Sequence, residues 1–176
     1  ELRHAPEGRM MWPSIALLSF VTLQRLGELV LARRNTAALL ARGAREVAPE
    51  HYPFMVALHA GWIIGLWLLA PGRPVAILWF VVFMGLQGLR LWVLATLRDR
   101  WTTRIIILPG APLIRSGPYR LLRHPNYAIV IGEIAALPLA FGLPLYAVVF
   151  SLLNACVLYI RVKAENAALE SAMILK

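Results

Sequence analysis

The stretch RSGPYRLLRHPNYAIVIGEIAALPL, residues 115–139, joins an arginine-rich polar segment to an apolar run. Gly117-Pro118 favours a turn, and Pro125 pushes His124 towards an extended conformation, so the backbone is irregular here. Irregular backbone at membrane depth persists only where it lines a cavity or is buried in protein. The stretch therefore predicts a functional site at the mouth of a hydrophobic span. The alternative is an interfacial anchor, because tyrosine and arginine are common at headgroup depth.

The composition places that span in a membrane protein. Of the 176 residues, 60% are hydrophobic and 15% are charged, and the mean hydropathy is +0.67. Soluble domains are about half apolar and about a quarter charged. The net charge of +9 would suggest a nucleic-acid partner in a soluble protein. Here the basic residues flank apolar spans, so membrane topology explains them and no nucleic acid is expected.

Cysteine and histidine give no sign of a metal or redox site. The single cysteine, Cys156, lies in an apolar run and has no disulfide or zinc-binding companion. The four histidines show no ligand spacing, so no metal is predicted. His59, inside an apolar span, is expected to contribute to packing rather than to chemistry.

Five apolar runs approach the roughly 20 residues needed to cross the hydrocarbon core. They cover residues 13–32, 53–70, 74–97, 127–141 and 144–160. The fourth is short and contains Pro138. Tail residues 161–176 carry apolar residues at helical spacing. The sequence predicts an all-α, polytopic membrane protein with about five transmembrane helices. It also predicts a C-terminal interfacial helix that continues off the fifth span.

Residues 1–9 precede Met10 and are interpreted as a leader or an expression-vector scar. Residues 10–176 are expected to form one domain. Its first part, 10–97, holds three spans, and its second part, 98–176, holds the last two spans and the C-terminal helix.

The basic residues predict the orientation. Thirteen of the 18 lysines and arginines fall in the first loop, the third connection and the tail, against Arg73 alone in the opposite loop. The positive-inside rule then places the third connection and the C-terminus in the cytoplasm, and the N-terminus outside. The polar stretch at 115–127 would therefore face the compartment that holds soluble cofactors.

Charged residues inside spans are costly and normally face protein or water. Arg25 and Glu28 are three residues apart and can pair on one helical face, an arrangement interpreted as structural. Gln87 and Arg90 repeat that spacing on the third span, and Glu133 lies near the start of the fourth. Arg90 and Glu133 are expected either to pair between helices or to border a polar cavity.

The motif Gly117-Pro-Tyr-x3-Arg-His-Pro-Asn-Tyr127, followed by Arg161-Val-Lys-Ala-Glu165, resembles the isoprenylcysteine carboxyl methyltransferase family. The resemblance covers residues 111–169. It implies an integral membrane enzyme that uses S-adenosylmethionine, with the cofactor site in the C-terminal half. Residues 33–53 also resemble a bacterial subgroup associated with methylation of alkylpyrones and alkylresorcinols.

Carried over by position, the resemblance implies cofactor contacts along the motif and on the last helix. These positions are Ala111, Pro112, Leu113, Ile114, Tyr119, His124, Pro125, Asn126, Tyr127 and Glu165. It places Arg161 facing the methyl acceptor. The family often has two adjacent glutamates where this chain has Glu165-Asn166, and that departure bears on the type of acceptor. No GxGxxG loop is present, so a Rossmann-type methyltransferase is not indicated.

The chemistry of methyl transfer agrees with these residue types. The enzyme must align a cationic donor with a nucleophilic oxygen and place compensating charge in a dry site. Glu165 can receive the cation, Arg161 can hold an anionic acceptor, and Arg123 is expected to orient Glu165 or the acceptor oxygen. An ionised carboxylate or acidic enol needs no strong general base. The alternative is that Arg161 and Glu165, four residues apart, form a plain helix-surface pair.

Three functions are therefore compared. The first is a membrane methyltransferase acting on an oxygen of a lipophilic acceptor drawn from the bilayer. The second is a phospholipid N-methyltransferase or an NADPH-dependent membrane reductase. The third is a non-enzymatic transporter or scaffold, although no repeated halves are present. The residues do not identify the acceptor or the oligomeric state.

Overall fold

The computed structural model describes residues 7–174, with side chains described for residues 11–169. Within these residues, five α-helices follow one another along the chain. They are α1 (Glu7–Ala41), α2 (Tyr52–Leu69), α3 (Ile77–Leu97), α4 (Pro125–Ala140) and α5 (Pro144–Ile174). Two short strands, β1 (Arg45–Glu46) and β2 (Ile106–Ile107), pair antiparallel between two connections. The predicted all-α, polytopic class is confirmed.

Prolines and one glycine mark several of the helix bounds. Pro53 lies in the first turn of α2, while Pro125 and Pro144 are the first residues of α4 and α5. A proline is tolerated there because the first N–H groups of a helix have no intrahelical acceptor. Gly142, between α4 and α5, has a φ of +64°, a conformation that glycine adopts without a steric penalty. A tight turn therefore joins α4 to α5.

Helix α4 differs from the other four. Helices α1, α2, α3 and α5 are each long and apolar enough to cross a membrane. The 16 residues of α4 extend about 24 Å, less than the roughly 30 Å of the hydrocarbon core. Nine of them are buried, so protein rather than lipid surrounds much of α4. The Ala76 N–H donates to the Ala140 carbonyl at 2.8 Å, which brings the end of α4 to the start of α3.

The bundle has two distinct ends. At the end called here the basic end, α1 and α3 finish and α2 and α4 begin. There β1 pairs with β2, and the Val47 N–H donates to the Ile105 carbonyl at 2.9 Å. At the opposite end, the α2–α3 turn meets the α4–α5 turn, where Arg73 Nη1 lies 3.5 Å from the Gly142 carbonyl. The arginines of the first loop and third connection therefore gather at one end.

Helix α1 continues beyond the predicted first span. The span was expected to finish at residue 32, but the helix runs on to Ala41. Asn35 on this extension is buried, and its Nδ2 donates to the carbonyls of Arg98 and Trp101 at 3.0 Å and 2.8 Å. These bonds tie the extension of α1 to the connection after α3.

The sequence predicted a leader at the N-terminus and a helix at the C-terminus, and the structure describes part of each segment. Residues 7–9 of the expected leader belong to α1, and residues 1–6 lie outside the described residues. The C-terminal segment is helical and continues directly from the fifth span, as predicted. Residues 175 and 176 are not among those described.

The main hydrophobic core fills the half of the bundle nearer the opposite end. Its largest fully buried side chains include Trp62, Phe83, Leu137 and Phe141. The Trp62 Nε1–H donates to the Ile134 carbonyl at 3.3 Å, which ties α2 to α4. The half nearer the basic end is therefore left to hold a cavity.

Candidate active site at the basic end of the bundle

A cavity of about 920 Å³ opens in the basic-end half of the bundle. All five helices and the connection between α3 and α4 line it. Its volume lies within the roughly 300–1,000 Å³ of small-molecule sites. Several residues predicted from the motif lie on its wall: Leu113, Ile114, Tyr119, Arg123, His124, Asn126, Tyr127, Arg161 and Glu165. The fold therefore brings the two halves of the motif to one cavity.

Tyr127 and Glu165 form the central contact between these halves. The Tyr127 hydroxyl donates to Glu165 Oε2 at 2.5 Å, linking the first turn of α4 to α5. His124 stacks on the Tyr127 ring with a centroid separation of 5.3 Å. Its Nδ1 lies 3.8 Å from Glu165 Oε2, and its Nε2 lies 3.1 Å from Asn166 Oδ1. Asn166, where the family often has a second glutamate, thus holds the histidine.

Arg161 is buried, with 5% of its surface exposed. Its Nη2 donates to the Thr103 carbonyl at 2.9 Å, and its guanidinium lies 5.9 Å from the Tyr127 ring centroid. Its Nε has no hydrogen-bond partner in the part of the chain that the structure describes. Within that same part, Arg161 forms no ion pair with Glu165. The Arg161 guanidinium and the Glu165 carboxylate therefore lie unpaired with each other on the cavity wall. They do not form the plain helix-surface pair that the sequence left open as an alternative. We call His124, Tyr127, Arg161, Glu165 and Asn166 the motif cluster.

Tyr119 adds a neutral hydroxyl to the same wall. It lies in the short 3-10 helix Gly117–Arg120 between α3 and α4. Burial, together with the nearby Glu165 carboxylate, raises the pKa of Tyr119 to about 12. The phenol therefore keeps its proton at neutral pH and can donate a hydrogen bond into the cavity.

The remaining motif residues take several positions. In the 111–114 segment, Leu113 and Ile114 line the cavity, whereas the Pro112 carbonyl accepts a hydrogen bond from Arg100 Nη1 at 2.7 Å. Ala111, half-buried, follows a tight turn in which its N–H donates to the Leu108 carbonyl at 3.2 Å.

Around the start of α4, the backbone turn buries Pro125 and leaves Arg123 exposed. Asn126 lines the cavity, and its buried Oδ1 has no partner among residues 7–174. Arg123 also lines the cavity, and Glu165 accepts a hydrogen bond from Tyr127. The role predicted for Arg123, orienting Glu165 or the acceptor oxygen, stays a prediction.

A second charged cluster lies deeper in the bundle, and we call it the buried ion network. Glu133 accepts hydrogen bonds from Arg25 Nη2 at 2.7 Å, Gln87 Nε2 at 2.8 Å and Arg90 Nε at 2.9 Å. Arg90 Nη2 also donates to Glu133 Oε2. Glu28 accepts from Arg25 at 3.2 Å and from Arg90 at 3.1 Å. Two arginines and two glutamates thus neutralise one another, which confirms the predicted Arg25–Glu28 pair.

Several cavity residues gave little signal in the sequence. Trp101 is 2% exposed, and its Nε1–H has no acceptor within the described residues. Thr103 contributes the carbonyl that holds Arg161. Asn154 on α5 is 1% exposed and lines the cavity. A polar residue inside the apolar run 144–160 is a signal that could have identified Asn154, whereas Trp101 and Thr103 could be assigned only from the fold.

This wall can bind two kinds of charge. Glu165 offers a carboxylate to a cationic group, and Arg161 offers a guanidinium to an anionic one. Asn126, Trp101 and Arg161 each have a buried polar atom without a partner among the described residues, and these atoms add hydrogen-bonding capacity to the wall. Buried polar atoms normally have partners, so these atoms mark a wall shaped for a polar ligand.

Comparison with known proteins agrees with the motif. The model of the isoprenylcysteine carboxyl methyltransferase (ICMT) family matches residues 76–171. The chain is 35% identical over 168 residues to the uncharacterized protein YpbQ of Bacillus subtilis, covering 92% of this chain and 97% of that protein. It is also 26% identical over 164 residues to an uncharacterized protein of Haemophilus influenzae, covering 82% of this chain and 88% of that protein. No solved structure matches the chain.

Proposed function

The chain belongs to the isoprenylcysteine carboxyl methyltransferase family, and we propose that it methylates an oxygen of a lipophilic acceptor using S-adenosylmethionine. The observation that carries this proposal is the separation of Arg161 from Glu165 on one cavity wall. A donor with a cationic centre and an anionic acceptor would each find an oppositely charged side chain there. Membership of a methyltransferase family favours this function over a reductase or a transporter.

The residues of the wall fit the cofactor. The positive charges of S-adenosylmethionine would be compensated by the Glu165 carboxylate. The polar groups of the cofactor would form hydrogen bonds with the neutral Tyr119 hydroxyl and with Asn126 Oδ1, which has no partner among the described residues. Tyr127 and His124 would orient Glu165, since both contact Oε2. When bound, the cofactor supplies an electrophilic methyl group on a positively charged sulfur. The protein contributes mainly alignment and charge compensation.

Arg161 would hold the acceptor oxygen. It is buried without a carboxylate partner among the described residues, so an anionic oxygen would neutralise it. An acceptor that is already ionised, such as a carboxylate or an acidic enol or phenol, requires no general base. The guanidinium therefore favours an O-methyl acceptor over the amine of a phospholipid N-methyltransferase.

The acceptor is proposed to enter from the bilayer. Leu26 on α1 is 54% exposed and Val56 on α2 is 40% exposed, and both line the cavity. In a membrane protein such apolar surface faces lipid, so an apolar chain could lie between α1 and α2 while its head reaches Arg161. The positive-inside rule supports a cytoplasmic position for the basic end, the cofactor site and the C-terminus.

Two measurements test this function. Purified protein in detergent should bind S-adenosylhomocysteine but not NADPH, as measured by calorimetry. Lipid extracts from cells that express the protein should contain a species heavier by one CH2, found by mass spectrometry, that is absent with Arg161→Leu.

Failure to bind S-adenosylhomocysteine would reject the proposal. A methylated amine instead of a methylated oxygen would assign the N-methyltransferase alternative. Alkylpyrone or alkylresorcinol products would assign the bacterial polyketide-methylating subgroup.

A further inference from the structure

Asn154 on α5 has an unusual environment. Only 1% of its surface is exposed, yet neither Oδ1 nor Nδ2 has a hydrogen-bond partner within the described part of the chain. The residue lines the cavity. A buried amide without partners is destabilising, and it is rarely retained unless water or a ligand satisfies it. No described residue therefore uses either its donor or its acceptor.

His59 lines the same cavity from α2. Its Nδ1 lies 2.9 Å from the Met55 carbonyl, and a carbonyl can only accept, so Nδ1 carries the proton. In the neutral ring, Nε2 is then a hydrogen-bond acceptor. The sequence suggested packing for this residue, but the structure places it on the cavity wall.

Helix geometry gives the levels of the two side chains along the bundle. The Tyr146 hydroxyl donates to the Trp62 carbonyl at 2.8 Å, which aligns α5 with the antiparallel α2. Measured from these residues, Asn154 lies about 12 Å and His59 about 4.5 Å towards the basic end. Side chains on a helix tilt towards its N-terminus. Asn154 therefore leans towards the opposite end and His59 towards the basic end, so each leans towards the level of the other.

This pair lies deeper than the methyl-transfer site. Asn154 precedes Arg161 by seven residues, two helical turns, so both lie on one face of α5, about 10 Å apart along the axis. A molecule held by Arg161 at one oxygen would extend its head towards Asn154. A hydroxyl there could donate to His59 Nε2 and accept from Asn154 Nδ2.

We infer that Asn154 and His59 form a second polar subsite that binds a hydroxyl group of the acceptor. The inference rests on the proposed function and narrows it: the acceptor head carries at least two oxygen atoms. One oxygen is methylated near Arg161 as the anion, after its proton has been released to water, and the other is bound deeper. A purely hydrocarbon tail would leave Asn154 unsatisfied. The acceptor tail instead leaves the cavity between α1 and α2.

Two matched probes test the subsite: an alkylresorcinol with a fifteen-carbon chain, and the alkylphenol of equal chain length that lacks one hydroxyl. Transfer of a tritiated methyl group gives kcat/KM for each. The wild-type protein should prefer the resorcinol by about tenfold or more, because a site built for a hydroxyl discriminates against an analogue without it. Asn154→Leu should reduce this preference to within about twofold. Affinity for S-adenosylhomocysteine should not change.

Leu152→Ala is the matched control, since Leu152 lies on the same helix and is 65% exposed. It should keep the wild-type preference. If Asn154→Leu does not fold, His59→Phe removes the Nε2 acceptor and should collapse the preference in the same way.

Equal use of both probes by the wild-type protein would overturn the subsite, and so would a preference that survives in Asn154→Leu. In both cases Asn154 would bind water only. Binding of S-adenosylhomocysteine with no methylation of either probe would also reject this acceptor head while leaving the proposed function standing. Absence of S-adenosylhomocysteine binding would instead reject the proposed function itself.

Discussion

The buried ion network and the motif cluster both place charged side chains inside one membrane bundle, but they differ in how those charges are compensated. In the network, every arginine meets a carboxylate within 3.2 Å, and the four charges sum to zero. In the motif cluster, Arg161 donates to a backbone carbonyl, whereas Glu165 accepts from the Tyr127 hydroxyl and lies 3.8 Å from His124 Nδ1. Charges that neutralise one another hold helices together. Charges left apart can be neutralised by a ligand.

The distinction has a physical basis in desolvation. Removing an ion from water costs several kcal/mol, and a close opposite charge with further hydrogen bonds offsets much of that cost. The network provides this offset permanently and joins α1, α3 and α4. In the motif cluster, part of the desolvation cost stays uncompensated until a charged ligand binds. Ligand binding therefore also supplies the missing charge compensation.

The largest effect is expected from Glu133→Leu in the network. The change leaves Arg25 and Arg90 without their shared carboxylate, and breaking a buried pair costs about 3–5 kcal/mol of unfolding free energy. Thermal unfolding in detergent measures the loss. Arg42→Ala is the control, because Arg42 and Asp99 form an exposed pair, 55% and 66% accessible, and such pairs contribute about 0–1 kcal/mol. Equal losses in the two variants would show that the network does not stabilise the fold.

The next largest effect is expected from Arg161→Leu in the motif cluster. Turnover should fall about 10²-fold, the scale for losing one electrostatic contact in a dry site, while affinity for S-adenosylhomocysteine should stay nearly constant. Methyl-transfer kinetics and calorimetry measure the two quantities. Lys163→Leu, an exposed position on the same helix, should change neither. A loss of cofactor affinity as large as the loss of turnover would contradict the separate roles of Arg161 and Glu165.

A smaller effect is expected from Glu165→Gln. The substitution keeps the shape of the side chain but removes the charge that would meet a cation. Cofactor affinity should fall roughly tenfold or more, because hydrogen bonds to charged groups contribute about 1.5–3 kcal/mol. Titration with S-adenosylmethionine measures it. Full affinity in this variant would remove Glu165 from the cofactor site and leave its bond to Tyr127 as a structural contact.

Much of the architecture could be predicted because it depends on local rules. Apolar length identified the helices, and the spacing of Arg25 and Glu28 predicted their pairing on one helical face. The length of α1 was underestimated, because its last turns are held by the hydrogen bonds of Asn35 to the distant residues 98 and 101. The resemblance to the family predicted His124, Tyr127, Arg161 and Glu165 as site residues. It did not predict how these side chains are arranged in the cavity.

The sequence by itself determined the membrane class, the helix order and the chemical types available at the candidate site, since these follow from composition and near-neighbour spacing. Only the tertiary structure decided which charges meet. Arg161 and Glu165, four residues apart, form no ion pair within the described residues. In contrast, the Tyr127 hydroxyl donates a hydrogen bond to Glu165, 38 residues away, at 2.5 Å. The same holds for Asn154, which is one polar residue in an apolar run of the sequence, but whose buried amide has no partner among the described residues. Contacts between helices depend on how the bundle packs, and no local pattern encodes them.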